Sequence, residues 1–284
     1  MTATLAALLV EAGVFAWETT LGEVLDEAVP NMREAYRGAS LLHLLSHRAG
    51  LQANLSAPDL LAHPREEADA RDSRIAYAAQ TLGQEPVGAL AAQMVYSNSG
   101  YVLVGAMMEH RLGATWEALI AEHLFAPLGL ETAGFGAPGT PGGLDAPSGH
   151  ALGPQGPAGP RLAYPPGGQI TDNPAVLGPA GRVHMSIPDM VVYLAAHRDE
   201  HALLTPESWS RLRTPPFGGD YALGLVVRPD GTLWHNGSNT LWYAEVLIDR
   251  ARGVVAAAAA NDGAVQLSAP VVGSALLSAA GSAG

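Results

Sequence analysis

Residues 134–181 carry 13 glycines and 10 prolines in 48 positions, and this stretch constrains the fold more than any other. Proline removes a backbone donor and glycine adds backbone entropy, so neither a long helix nor a central strand suits that composition. The chain is divided by it. Helical patterns come before and strand patterns after, and the stretch itself reads as a long loop without regular structure that shapes a cleft or acts as a lid.

Ahead of the loop, residues 1–12 are apolar and end at Gly13. Residues 41–47 place leucine at 41, 42, 44 and 45 before Gly50. Residues 59–73 are polar and read as an exposed helix or loop. Residues 99–112 set Val102, Leu103, Ala106 and Met107 on one face and end at Gly113, and 115–124 form another helix. Beyond the loop, Ser186 and Pro188 open a helix over 187–197. Strand patterns follow over 221–228, 232–235, 241–249 and 253–260, with a hairpin turn at 250–253. Residues 271–280 read as a last helix packed on that sheet. The order predicts an α+β fold, with a helical lobe beside a C-terminal antiparallel sheet. It is one domain over 1–284, mainly helix and loop in 1–186 and helix plus sheet in 187–284. There are no internal repeats.

Composition narrows the function. Of 284 residues 48% are apolar and 15% charged, which suits a packed core. Fifteen basic against 27 acidic residues leave a formal charge of −12 without a basic cluster, which argues against nucleic acid and anionic membrane surfaces as partners. With no cysteine, disulfides, thiolate nucleophiles and Cys-ligated zinc are excluded. All 15 basic residues are arginine, so no residue of this sequence can act as a lysine base or Schiff-base lysine. No run of about 18 apolar residues is present, so no membrane span is expected. Residues 1–10 are apolar but lack a basic leader region, and Glu11 follows directly. This is no signal peptide, so the expected location is cytoplasmic, or unassigned if the natural N-terminus lies elsewhere. The apolar pattern is already running at Met1, as though the chain begins partway along a helix.

Two short segments have chemical potential. Tyr96-Ser97-Asn98 stands at a helix entrance, where a phenol can move a proton and an amide can hold a carbonyl; a structural tyrosine with an asparagine cap is the plainer reading. Trp234-His235-Asn236-Gly237-Ser238 ends a short strand, where glycine permits a ligand to approach the backbone and the next N–H can serve as an oxyanion donor; the plainer reading is a hairpin with a surface histidine. His43 with His47, and His197 with His201, have i,i+4 spacing but no third ligand, and read as ordinary helix residues rather than a metal site. G-x-S-x-G is absent and no G-x-G-x-x-G follows a strand pattern, which removes support for an α/β-hydrolase and for dinucleotide binding.

Taken in order, several segments resemble one family. Leu41-Leu42-His43-Leu44-Leu45-Ser46-His47-Arg48-Ala49-Gly50-Leu51 is similar to its LLxH-x-(S/A)-GL segment, and Tyr96-Ser97-Asn98-Ser99-Gly100-Tyr101 with Gly105 to YSNxGYxxxG. Phe125-Ala126-Pro127-Leu128-Gly129-Leu130 is similar to F-x-PLG(M/L), and Pro179-Ala180-Gly181 with Met185-Ser186 and Asp189-Met190 to PAG…S…DM. Tyr221-Ala222-Leu223-Gly224-Leu225 resembles YGLGW, and His235-Asn236-Gly237 stands where K-T-G or H-x-G belongs. The chain thus resembles the serine β-lactamase-like superfamily of class C β-lactamases, D,D-peptidases and related esterases.

The resemblance implies acyl transfer through a Ser-x-x-Lys pair, without cofactor or metal, on a small-molecule or peptide ester or amide. It implies Tyr96 as the proton-transfer residue, Asn98 as the substrate-binding amide, His235 and Gly237 on the third-motif strand, and the N–H of Ser238 as half of an oxyanion hole. The departure is the missing nucleophile: without lysine there is no Ser-x-x-Lys. Alignment to the family puts that serine and lysine just upstream of Met1, together with strands that pair with the C-terminal ones. The expectation is therefore a serine hydrolase that is inactive as the chain stands, the alternative being a non-catalytic ligand- or peptide-binding pseudoenzyme. A sheet edge without its N-terminal partners would favour a homo-oligomer.

Overall fold

The computed structural model describes residues 1–168 and 170–282. Its principal helices are α1 (Thr2–Glu11), α2 (Leu41–Leu45), α3 (Arg71–Leu82), α4 (Asn98–Leu112), α5 (Trp116–Ile120), α6 (Ile187–Asp199), α7 (Pro206–Leu212) and α8 (Val265–Ser282). Its strands are β1 (Gly134–Phe135), β2 (Gly149–Leu152), β3 (Arg161–Tyr164), β4 (Val183–His184), β5 (Val226–Val227), β6 (Leu233–Ser238), β7 (Tyr243–Asp249) and β8 (Val254–Ala260). Two compact units share them. The first comprises 1–127, 174–180 and 203–224; the second comprises 128–173, 181–202 and 225–284.

Local chemistry sets the helix ends in the first unit. Ser97 caps α4 by accepting the Gly100 N–H, and Gly113 closes it in the left-handed conformation at φ 69°. Thr205 caps α7, with Pro206 at its first position. Helix α1 is buried around most of its circumference, including Leu5, Ala6, Ala7 and Leu9, and opens without a side-chain cap. It is a core helix rather than an amphipathic one.

Helix α4 is the axis of this unit, packing against α1, α2 and α3. Two glycines allow the close approaches. A Cβ on Gly100 would stand 2.8 Å from the Leu44 carbonyl oxygen, and one on Gly105 would stand 2.3 Å from Cγ of Pro179. The glycine spacing after Tyr96 is thus a packing requirement. Gly105→Ala is expected to cost about 1–3 kcal/mol, because the proline ring cannot rotate out of the way as a flexible side chain would. Urea denaturation measures this, and a variant of wild-type stability contradicts it.

In the second unit β5, β6, β7 and β8 form an antiparallel sheet in chain order. The β6–β7 register runs from Leu233 opposite Ile248 to Ser238 opposite Tyr243. Helices α6 and α8 pack on β7 and β8. Leu276 and Ala280 of α8 close over Leu247, Val254 and Ala256, joined by Trp234 and Ala258. The α+β class and the antiparallel C-terminal sheet are as the sequence predicts.

Two expectations need correction. The 134–181 segment is not devoid of regular structure: β2 and β3 pair from Gly149–Tyr164 to Leu152–Arg161. A Cβ on Gly149 would lie 2.6 Å from the Trp242 ring, so this glycine serves packing as well as turning. Strand 221–228 shrinks to the two residues of β5. Among the described residues α8 is the one helix long and apolar enough to cross a membrane by length and composition. Here its Ser268, Val272, Leu276 and Ala280 form a buried stripe at four-residue spacing.

Candidate active site

In the first unit the Tyr96-Ser97-Asn98 segment enters α4. Ser97, not Asn98, is the helix cap. The Ser97 hydroxyl also donates to the Gln52 carbonyl at 2.6 Å, and the Asn98 N–H donates to the Ala53 carbonyl at 2.9 Å. The Asn98 amide is therefore released from capping and donates to Asn54 Oδ1 at 3.0 Å. Tyr96 keeps 44% of its surface exposed. Partial burial of the phenol still raises its pKa above the usual value of 10.0, so it holds its proton at neutral pH. Protonated, it is a hydrogen-bond donor until a base or a cation moves its equilibrium.

Aromatic rings surround it. The His47 ring centroid is 4.2 Å from Tyr96, 5.4 Å from Tyr101 and 4.6 Å from Tyr221, and Tyr221 meets Tyr96 edge-on at 6.2 Å. Burial raises the Tyr221 pKa well above its ordinary value. The helical reading of the His43–His47 pair is corrected here. Helix α2 stops at Leu45, and His47 stands beyond it at φ 59°. His43 turns elsewhere, contacting the Ser40 hydroxyl through Nδ1 at 2.8 Å and stacking on Phe217 at 4.5 Å. His197 meets the Tyr193 hydroxyl at 3.0 Å. Spacing found His47 but gave it no role; the left-handed backbone and the contact with the Tyr96 ring are not visible in sequence.

In the second unit β6 alternates its side chains as a strand must. Trp234 and Asn236 share a polar network: Asn236 Nδ2 donates to the Tyr243 hydroxyl at 2.9 Å, that hydroxyl donates to Glu245 at 2.8 Å, and the Trp234 indole N–H donates to Glu245 at 3.0 Å. His235 and Gly237 lie on the opposite face. Gly237 is exposed, and a Cβ added to it would meet nothing within 4 Å. Packing therefore does not demand glycine there, whereas a ligand approaching the backbone would. The Ser238 hydroxyl donates to the Trp242 carbonyl at 2.7 Å and accepts from the Thr240 N–H at 3.0 Å. This pins the strand end and leaves Ser238 committed to structure rather than to nucleophilic attack.

Burial lowers the His235 pKa from 6.5 to about 4, so the imidazole is neutral near pH 7. Between about pH 6.5 and pH 4 the unfolded chain then binds more protons at this site than the folded one. Stability is expected to fall as the pH is lowered through that window, and His235→Gln removes this part of the fall. Denaturant titrations at pH 7 and pH 5 measure it, and an unchanged pH dependence in the variant contradicts it.

Tyr96 and Asn98 thus sit together in the first unit, and His235, Gly237 and Ser238 together in the second. The chain belongs to the Beta-lactamase family, whose model matches residues 1–275. Among curated proteins it is similar to penicillin-binding protein 4 of Amycolatopsis lactamdurans, with 28% identity over 130 residues. That match covers 45% of this chain and 32% of the relative, so the chain aligns with about a third of its length. The penicillin-binding protein of Bacillus halodurans has the same fold, with a TM-score of 0.77 at 20% identity over 98% of this chain and 81% of that one. So does an octameric penicillin-binding protein homologue from Pyrococcus abyssi, with a TM-score of 0.70 at 19% identity over 92% of this chain and 59% of that one.

Proposed function

We propose that the protein is a serine hydrolase of the acyl-enzyme type, acting on an amide or ester, whose Ser-x-x-Lys pair is not among these 284 residues. The observation that carries this reading is the Tyr96–Asn98 arrangement. Capping falls to Ser97, which leaves at one helix entrance a half-exposed phenol and a carboxamide that is not used as the cap and donates to Asn54. In the reaction a serine hydroxyl attacks the substrate carbonyl, a tetrahedral intermediate collapses to an acyl-enzyme, and water releases the acid. Tyr96 passes the proton released by the serine on to the leaving group, and Asn98 holds the substrate's carbonyl or amide. A lysine ammonium beside the phenol would lower its pKa towards the range in which it can also accept a proton. The open backbone at Gly237 supports close approach of a ligand to β6.

A second reading, a non-catalytic binder of peptides or other ligands, is favoured by the absence of lysine from the whole sequence. Among the described residues β8 has no strand partner beyond β7, and self-association through this alanine-rich edge belongs to either reading. Turnover separates the two. The 284-residue chain is expected to leave p-nitrophenyl esters and a chromogenic cephalosporin intact. A version preceded by Ser-x-x-Lys in helical continuity with α1 is expected to hydrolyse one of them. If the extended version folds and binds a D-Ala-D-Ala peptide without turning over any of these substrates, the binding reading replaces the first.

A further inference from the structure

One residue holds the backbone on both sides of Tyr96. The His47 carbonyl accepts the N–H of Val95 at 2.9 Å, and its imidazole Nδ1 accepts the N–H of Ser97 at 3.1 Å. Both amides that flank Tyr96 are thus tied to a residue about fifty positions earlier. The same imidazole lies 4.2 Å from the Tyr96 ring, so the backbone clamp and the ring contact act on one side chain. For Nδ1 to accept, it must carry no proton, which assigns any ring hydrogen to Nε2.

The backbone of His47 is unusual for a residue with a bulky side chain. Its φ of 59° lies in the left-handed region, where an ordinary side chain is held only by its surroundings. Here the surroundings are identifiable. The His47 N–H donates to the Leu44 carbonyl at 3.3 Å, and the next N–H, of Arg48, donates to the His43 carbonyl at 2.8 Å. Arg48 Nη1 further binds the Ala92 carbonyl at 2.9 Å, and the Ala91 N–H binds the Arg48 carbonyl at 2.8 Å. The turn after α2 is stitched in this way to the segment that leads into Tyr96. His47 itself is only 2% exposed, so the imidazole's contacts are with the protein and not with solvent.

We propose that His47 is a positioning residue for Tyr96, fixing through its Nδ1 acceptor the direction in which the phenol points. This rests on the reading of Tyr96 as the proton-transfer residue. A phenol on an unrestrained loop would sample several directions, and proton transfer requires one of them within hydrogen-bond reach of the reacting atoms. His47 touches no substrate in this account; it acts through the two amides and the ring contact.

Two substitutions separate the hydrogen bond from the backbone strain. His47→Asn and His47→Gly both accept a left-handed backbone, but only asparagine offers an oxygen near the Nδ1 position. In the 284-residue chain, hydrogen exchange of the Ser97 amide is expected to be about tenfold faster in His47→Gly and close to wild type in His47→Asn, as fits the loss of one net hydrogen bond. In the version bearing Ser-x-x-Lys, His47→Gly is expected to lower kcat with KM little changed, and His47→Asn to recover most of it. Equal Ser97 exchange in wild type and His47→Gly overturns the proposal, as does an equal loss in both variants. If His47→Gly does not fold, wild-type protection in His47→Asn supports the clamp and a tenfold loss there overturns it. The exchange arm does not depend on the role of Tyr96. Intact clamping together with full activity of Tyr96→Phe would remove the proton-transfer reading while leaving His47's hold on the loop in place.

Discussion

Tyr96→Phe, made in a version of the protein that carries Ser-x-x-Lys ahead of α1, is expected to lower kcat by about 10²–10⁴-fold, the usual contribution of a positioned acid or base. The ring and its contact with the His47 ring are retained, so the variant removes one oxygen and its proton rather than the packing of the site. KM is expected to change less, because the phenol's contribution is made in the transition state and not in the ground state. Asn98→Ala has a different expected signature, a larger effect on KM, since its amide holds the substrate. Steady-state hydrolysis of a p-nitrophenyl ester reads both. Equal kcat with phenylalanine at position 96 would show that another group moves the proton.

Arg74→Ala is expected to give the largest loss of stability. The Arg74 guanidinium is fully buried among Glu109, Glu117 and the carbonyls of Ala175 and Val176, the last two at 3.0 and 3.3 Å. It links α3 and α4 to the 174–180 segment of the same unit. Burial raises the Glu109 pKa even though Arg74 opposes the rise. Removing the cation leaves that carboxylate buried without its partner, and breaking such a pair costs about 3–5 kcal/mol. Against a total stability of about 5–15 kcal/mol this is a large fraction. In the variant, Glu109 protonates more readily in the folded state than in the unfolded one, so stability is expected to rise as the pH is lowered through its titration. Adding Glu109→Gln is expected to recover part of the loss, and urea denaturation of the single and double variants measures the coupling. A single variant within 1 kcal/mol of wild type at pH 7 would contradict this account.

The sequence was most legible where a local rule acts alone. Gly113 ends α4, Ser186 with Pro188 starts α6, and the turn at 250–253 joins β7 to β8. It was least legible where distant chain segments decide the outcome. The β2–β3 hairpin forms within a Gly- and Pro-rich stretch partly because Gly149 fits against Trp242, far away in sequence. Helix α7 escaped notice despite its Thr205 cap and Pro206, since seven residues give too short a periodic pattern. At the candidate site, Tyr96 and Asn98 could be found by motif, but Ser97's capture of the cap could not. His47 was visible only as half of a histidine pair. Its left-handed backbone and its hold on residues 95 and 97 depend on contacts that spacing does not encode.

The central claim is that the acyl-transfer scaffold is present and its nucleophile is not among these residues. Intact-mass labelling with a fluorophosphonate and with a penicillin tests it most directly, applied in parallel to the 284-residue chain and to the version preceded by Ser-x-x-Lys. The account predicts no adduct on the first, and a single adduct on the introduced serine of the second. A stoichiometric adduct mapped to any serine of residues 1–284 would contradict it, as would a folded extended version that takes up neither reagent.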